Sequence, residues 1–174
     1  MRILLLSALT ASALALGGCG LRPLYAEGNK GEVARVLADI DVAPIEGHSG
    51  WLVRNALRDR LQPTQGGEGA GSRLRLDVRL QDEITGFGVR SDDAVTRERR
   101  TLRARYQLVD VASGAVLLDA TAAQDAGIDV VGSEYATIAA ESTALERLAS
   151  GVADQIVARV AVFASRGGGA PQGQ

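Results

Sequence analysis

Two segments in the middle of the chain alternate apolar and polar residues with the period of a β-strand. In residues 73–81, RLRLDVRLQ, the even-numbered side chains are apolar and the odd-numbered ones are charged or carry an amide. Residues 96–111 repeat this alternation, with an apolar side formed by Leu102, Ala104, Tyr106 and Leu108. Side chains two apart share one face of a strand, so each segment is predicted to bury one face and wet the other. Ser113-Gly114 supplies a turn, and residues 115–124 return as the hairpin partner.

Two other segments carry apolar residues at helical spacing. Residues 50–62 follow Ser49, a candidate N-cap, and their apolar stripe consists of Leu52, Val53, Ala56, Leu57 and Leu61. Pro63 and the glycine-rich run after it are expected to end this helix. Residues 133–165 predict a helix about 50 Å long at 1.5 Å per residue, with Ser133 as cap and Gly151 as the expected bend. Its apolar seam consists of Ile138, Leu145, Leu148, Val152, Ile156, Val160 and Phe163.

The remaining patterned segment, residues 33–42, predicts a further strand. VARVLADIDV has period-two apolar positions at Ala34, Val36, Ala38, Ile40 and Val42. The predicted order is therefore strand, helix, three strands and helix. This order favours an α+β fold in which two helices pack on one face of a four-stranded, mostly antiparallel sheet.

The amino terminus has the layout of a lipoprotein signal peptide. Met1 and Arg2 precede an uncharged stretch over residues 3–16, which is too short for a membrane-spanning helix. The Leu-Gly-Gly-Cys sequence that ends at Cys19 resembles the lipobox of bacterial lipoproteins, which implies a lipid-modified Cys19 after cleavage. Gly20 resembles the residue found in lipoproteins sorted to the outer membrane. We expect a signal peptide over residues 1–18, one domain over 19–166 and a disordered tail over 167–174.

Composition argues against several classes of function. The chain is 46% hydrophobic and 23% charged with a formal net charge of −2, as in an ordinary globular domain, and it lacks the basic excess of a nucleic-acid-binding protein. Cys19 is the only cysteine and His48 the only histidine, so neither metal-ligand spacing nor a nucleophile–histidine pair is present. His48 is expected in a loop before the first helix. We expect no catalysis, no metal and no cofactor.

The segment that follows the lipobox resembles a known family. Cys19-Gly20-Leu21-Arg22-Pro23-Leu24-Tyr25 is similar to the mature start of the LptE family of lipopolysaccharide (LPS) assembly lipoproteins, particularly its alphaproteobacterial branch, although Leu21 stands where phenylalanine is more common. Residues 52–61 and 96–111 resemble the first helix and central hairpin strand of that family. The resemblance implies a non-enzymatic outer-membrane lipoprotein on the periplasmic side. It also implies that the chain plugs the LptD β-barrel, assists its assembly and helps insert LPS into the outer leaflet.

Seven arginines are the candidate contact residues. Their shared parity on two neighbouring strands predicts one basic sheet face opposite the core, formed by Arg73, Arg75, Arg79, Arg97, Arg99, Arg103 and Arg105. Arginine binds phosphate oxygens through its planar fork, so this face could contact LPS phosphates or acidic groups of the barrel. The alternative is a solvated face that also discourages edge pairing, balanced by Asp77, Glu98, Asp92 and Asp93.

Three further features bear on partner contacts. Phe87 is expected in a loop over residues 85–94, either tucked over the sheet end or exposed to a partner. Trp51 is expected at the edge of the core. Part of the long final helix could face something other than the sheet. Its small residues Ala139, Ala140 and Ala153 are expected to be exposed and would allow close approach to a barrel wall.

Two other functional classes stay open at this point. One is an auxiliary lipoprotein of an ABC-type lipid-trafficking system, which could share a lipobox and a small α+β fold. The other is a lipid-anchored hydrolase, whose turnover would depend on His48.

Overall fold

The structure consists of one mixed sheet and three helices. It is a computed structural model that describes residues 31–61, 71–89, 95–130 and 133–167. In chain order the elements are α1 (Glu32–Ala38), β1 (Ile40–Val42), α2 (Gly47–Leu61), β2 (Leu74–Val89), β3 (Val95–Asp110), β4 (Val116–Asp129) and α3 (Glu134–Ser165).

The strands form one four-stranded sheet in the order β1-β2-β3-β4. β2 and β3 pair antiparallel along almost their whole length, and β3 pairs antiparallel with β4. β1 is parallel to β2 but covers only its first three residues, because Ile40–Val42 lies opposite Leu74–Leu76. The predicted α+β class and mostly antiparallel sheet are therefore confirmed.

The helices cover one face of this sheet, and the core lies between the two layers. From the strands the core takes the even-numbered side chains that the alternation predicted, including Leu74, Leu76, Leu102, Ala104, Tyr106 and Leu108. From α2 it takes Val53, Leu57 and Leu61, and from α3 the buried seam around Val152, Ile156 and Val160. We call the helix-covered face the inner face and the opposite one the outer face.

The prediction of a strand over residues 33–42 was wrong in its first half. Glu32–Ala38 is a helix, and only Ile40–Val42 is a strand. The segment satisfies both periods, since Val33, Val36 and Leu37 have helical spacing and pack in or against the core. The period-two interpretation required a buried Ala38, which is exposed in the structure.

Several boundaries also differ from the predicted ones. β2 continues to Val89, so residues 85–89 of the predicted loop are strand. α2 begins at Gly47, before the predicted cap Ser49, and it places His48 in its first turn. The Ser133 side chain makes no capping hydrogen bond to α3, and that helix runs through Gly151 without interruption.

The long helix α3 is buried along most, but not all, of its length. It is the one helix among the described residues long and apolar enough to cross a membrane, but half of its most apolar window is buried, as in a core helix. Ala153 is fully buried, so the expectation that it is exposed was wrong. Ala139 is exposed, and Ile138, which was assigned to the core seam, is 55% exposed.

Other sequence-based expectations concern residues outside the described ranges. These are the signal peptide, Cys19 and the segment after it, Pro63 with the glycine-rich run, Asp92 and Asp93, and the tail beyond Gly167.

Candidate functional site: the outer face of the sheet

All seven predicted arginines are exposed on the outer face. β2 and the residue before it contribute Arg73, Arg75 and Arg79, and β3 contributes Arg97, Arg99, Arg103 and Arg105. β2–β3 pairing places Arg79 directly opposite Arg105, so the two sets form one continuous surface. The predicted geometry of this face is therefore confirmed, whereas its role stays a prediction.

Three of these arginines are paired with aspartates on the same face. Arg75 bonds Asp77 at 2.8 Å, Arg97 bonds Asp129 at 3.0 Å, and Arg105 bonds Asp119 at 3.0 Å. Hydrogen bonds from Arg105 and Gln107 lower the pKa of Asp119, and the bond to Asp119 raises the pKa of Arg105. The negative charge that balances these arginines therefore comes from Asp77 and from two β4 residues, Asp119 and Asp129, that sequence analysis did not name.

Three other arginines of the outer face have no carboxylate within ion-pair distance among the described residues. They are Arg79, Arg99 and Arg103. The Arg99 guanidinium instead lies over the Phe87 ring, 5.6 Å from its centroid. A guanidinium without a carboxylate keeps its donors available for another anion. The face therefore combines neutralised and available cations.

A shallow groove of about 640 Å³ runs along the outer face, over the half of the β2–β3 hairpin farthest from β1. Arg99 and Arg103 line it together with Phe87 and Glu83. A second concavity of about 440 Å³ contains Arg79 and Arg105 beside Pro44. The available arginines therefore border concave parts of the surface.

Two aromatic residues are exposed, which is one of the two predicted alternatives for Phe87 but differs from the core-edge position expected for Trp51. Phe87 belongs to β2, opposite Arg97, and is 41% exposed rather than tucked over the sheet end. Trp51 is 60% exposed, because the core side of α2 is occupied by Val53 and Leu57; it stacks on His48 with ring centroids 6.4 Å apart. Both rings are available for contact with another molecule.

One charged pair on the inner face was missed by sequence analysis. Arg100 on β3 makes two hydrogen bonds to Asp82 on β2, at 2.8 and 2.7 Å, and a third to the backbone oxygen of Glu141 on α3. The bond to Asp82 raises the pKa of Arg100. Glu98, expected to balance the outer face, instead has the inner-face parity of Leu102 and has one buried carboxylate oxygen. The even numbers of Asp82, Glu98 and Arg100, shared with the core residues of the same strands, could have predicted their position on the inner face.

The described residues offer little for bond-making chemistry. They contain no group of three or more His, Cys, Asp or Glu side chains that could hold a metal ion. His48 is exposed and its contact is Trp51. The geometry supports binding through an extended polar surface.

Comparison with known proteins agrees with this architecture. A comparison with curated proteins gives no match. A putative lipoprotein from Caulobacter crescentus has a similar structure, with a TM-score of 0.62, 24% identity and coverage of 76% of this chain and 96% of that one. The rare lipoprotein B from Shewanella oneidensis gives a TM-score of 0.56 at 12% identity, covering 73% and 95%. A lipoprotein B from Nitrosomonas europaea gives 0.57 at 15% identity, covering 74% and 84%.

These structural similarities establish the fold, and the family follows from a sequence model. The model named LptE, described as lipopolysaccharide-assembly, matches residues 37–160. This range contains β1, α2, the whole β2–β4 meander and most of α3. The chain therefore belongs to the LptE family of lipopolysaccharide-assembly proteins.

Proposed function

We propose that this chain is an outer-membrane lipoprotein that occupies the lumen of the LptD β-barrel, assists assembly of that barrel and helps pass LPS to the outer leaflet. Cys19 carries the lipid anchor. Family membership supports the role in LPS assembly. The observation that carries the finer proposal is the contrast between the two faces of the sheet.

The outer face is suited to a polar enclosure. Its side chains are exposed or half-buried along the strands, and no helix among the described elements covers it. The interior of an outer-membrane barrel is polar, and large barrels hold a water-filled or plugged lumen. A compact domain that keeps its apolar residues between its own layers can enter such a lumen without exposing its core.

The available arginines are the proposed contacts for LPS phosphates. Charge-assisted hydrogen bonds between arginine and phosphate are short and strong, and one guanidinium can bind a phosphate through two parallel bonds. Arg99 and Arg103 lie on the same strand face four residues apart, and both line the groove. The paired arginines contribute less, because their donors already engage aspartates.

A comparison of two triple variants tests this assignment. Replacing Arg79, Arg99 and Arg103 with serine should weaken LPS binding by tenfold or more, because each charge-assisted bond contributes about 1.5–3 kcal/mol. The control replaces Arg35, Arg147 and Arg166, which are exposed on or beside the helices, so that net charge changes equally. If both variants lose LPS affinity equally, the arginines act only through non-specific electrostatic attraction, and the assignment is rejected.

Co-purification tests the proposed complex itself. The full chain with a carboxy-terminal affinity tag, extracted from membranes in mild detergent, should bring with it a large barrel protein whose gel mobility changes on heating. Recovery of a permease or a periplasmic lipid-binding protein instead would identify the ABC-type auxiliary alternative. A Cys19→Ser variant should leave the membrane fraction, while an unchanged distribution would contradict the anchor.

A further inference from the structure

The first three residues of β2 pair with β1, and after them this edge of β2 has no strand partner among the described residues. β1 lies beside Leu74–Leu76, and the next residue, Ala43, donates its N–H to the Leu76 oxygen. Pro44 follows and has no N–H to extend the ladder. Yet β2 stays paired with β3 on its other side as far as Val89. Along most of β2, no described residue therefore pairs with that side of the strand.

The hydrogen bonds at the start of β2 show which backbone groups point to that side. Leu74 donates its N–H to Asp39 on the β1 side, and the Leu76 oxygen accepts from that side as well. The Arg73 oxygen accepts from Val111, on the β3 side. Backbone direction alternates along a strand, and β2–β3 register is constant to Phe87. The N–H and C=O groups of the even-numbered residues from Val78 to Gly86 therefore point to the open side, where no described residue bonds them.

After the charged residues Arg79, Asp82 and Glu83, the last part of this edge has few of the features that protect exposed strands. Residues 84–89, ITGFGV, contain neither a charge nor a proline. Ile84 and Phe87 are 42% and 41% exposed, one on each face of the strand. Proteins usually block such an edge with charges, prolines or bulges. β4, the other edge strand, presents Asp119, Asp125 and Asp129.

We propose that the open edge of β2, residues 78–86, binds an extended segment of the barrel subunit as an added strand. This inference rests on the proposed function. A closed barrel has no free strand in its wall, so the segment comes from a loop or a terminal region of that subunit. Main-chain hydrogen bonds supply the affinity, and the side chains of β2 set the sequence that fits.

The side chains along the edge specify the chemistry of the added strand. Its outer-face residue opposite Glu83 is polar or basic, and its inner-face residue opposite Ile84 is apolar. In the antiparallel register that spans all of residues 78–86, a second copy of this chain would place Asp82 opposite Asp82 and would gain no pair of opposite charges. It therefore fits less well there than a segment with a basic residue opposite Glu83.

A proline at Ile84 tests the backbone contribution. The Ile84 N–H points away from β3, so proline there removes a donor of the open edge and leaves the β2–β3 ladder intact. We expect recovery of the barrel with the tagged full chain to fall about fivefold or more, the change that corresponds to one lost hydrogen bond of ordinary strength. Ile84→Thr is the matched control, because it removes the same side chain but keeps the N–H.

Two further variants make the test independent of folding. Thr121→Pro changes an exposed position on the β4 edge and should leave barrel recovery unchanged. A photoreactive amino acid at residue 84 should crosslink to a loop or terminal segment of the barrel subunit, and not to a strand of its wall. The thermal unfolding midpoint of Ile84→Pro should stay within a few degrees of the parent.

Each result has a defined meaning. Undiminished recovery of the barrel by Ile84→Pro, or crosslinks from residue 84 to a second copy or within the same chain, would overturn the inference. In either case the proposed function would stand. Failure of the unmodified chain to recover any barrel would instead contradict the proposed function.

Discussion

The ion pair between Asp82 and Arg100 is expected to contribute measurably to the stability of the hairpin. It lies on the inner face beyond the end of the core, where Arg100 also bonds Glu141 on α3. The two side chains are only 20% and 13% exposed. Arg97 and Asp129 form a pair of the same chemistry on the outer face of the same sheet, but those side chains are 63% and 75% exposed. The two pairs therefore differ chiefly in burial.

Removal of one partner should have different costs at the two sites. Breaking a fully buried pair costs about 3–5 kcal/mol, because a charge is left buried and unpaired. Partial exposure of Arg100 reduces this cost, so we expect Asp82→Ala to lower the free energy of unfolding by about 2 kcal/mol. Asp129→Ala should lower it by less than about 0.5 kcal/mol, since water screens an exposed pair. Replacing both inner residues, Asp82→Leu with Arg100→Met, should restore most of the loss.

Urea denaturation followed by circular dichroism measures these differences. The midpoint and the slope of the unfolding transition should be determined for the parent, both single variants and the double variant, using the domain without its signal peptide. Equal losses for Asp82→Ala and Asp129→Ala would refute the argument from burial. A double variant less stable than Asp82→Ala alone would show that the polar contacts, and not the unpaired charge, dominate.

Three other changes follow from individual contacts. Ile156→Ala, at a fully buried position of α3, should destabilise by about 2–5 kcal/mol in the same urea assay, and Ile138→Ala on the same helix by far less because Ile138 is half exposed. Gly50→Ala should lower the thermal unfolding midpoint, because an added Cβ would lie 2.6 Å from the Ile45 backbone oxygen. An unchanged midpoint would show that the loop before α2 can move to make room for the methyl group. Hydrogen bonds from Ser113 lower the pKa of Asp110 below its ordinary value of 3.8. The ionised Asp110 therefore stabilises the β3–β4 turn fully at neutral pH. This stabilisation is lost as the pH falls below 3.8, because the carboxylate becomes protonated. Asp110→Asn should therefore narrow the stability difference between pH 6 and pH 3, and an unaltered pH profile would contradict this assignment.

The sequence predicted those elements in which burial alternates along the chain. β3 and the first half of β2 pack one face against helices, so their apolar positions recur at period two. From Glu83 onwards the strand is exposed on both faces, and Ile84 and Phe87 have opposite parity. The alternation disappears there although the backbone pairing continues. The second half of β2 was therefore predicted as a loop.

The composition of the outer face could be predicted, but its internal pairing could not. The parity of seven arginines fixed their common face. Two of the three arginine–aspartate pairs depend on the register with β4. In that register Asp129 lies opposite Arg97, and Asp119 lies opposite Gln107, next to Arg105. No local pattern in the sequence contains that register. Helix α1 was missed for a related reason, since Val36 fits both periods.

Photocrosslinking from the centre of the outer face in intact cells tests the central claim most directly. Thr101 lines the groove between Arg99 and Arg103, so a photoreactive amino acid at this position leaves every arginine in place. We expect crosslinks to LPS and to a large heat-modifiable barrel protein. Crosslinks confined to other periplasmic proteins, or none at all from chains shown to be folded and membrane-bound, would contradict it.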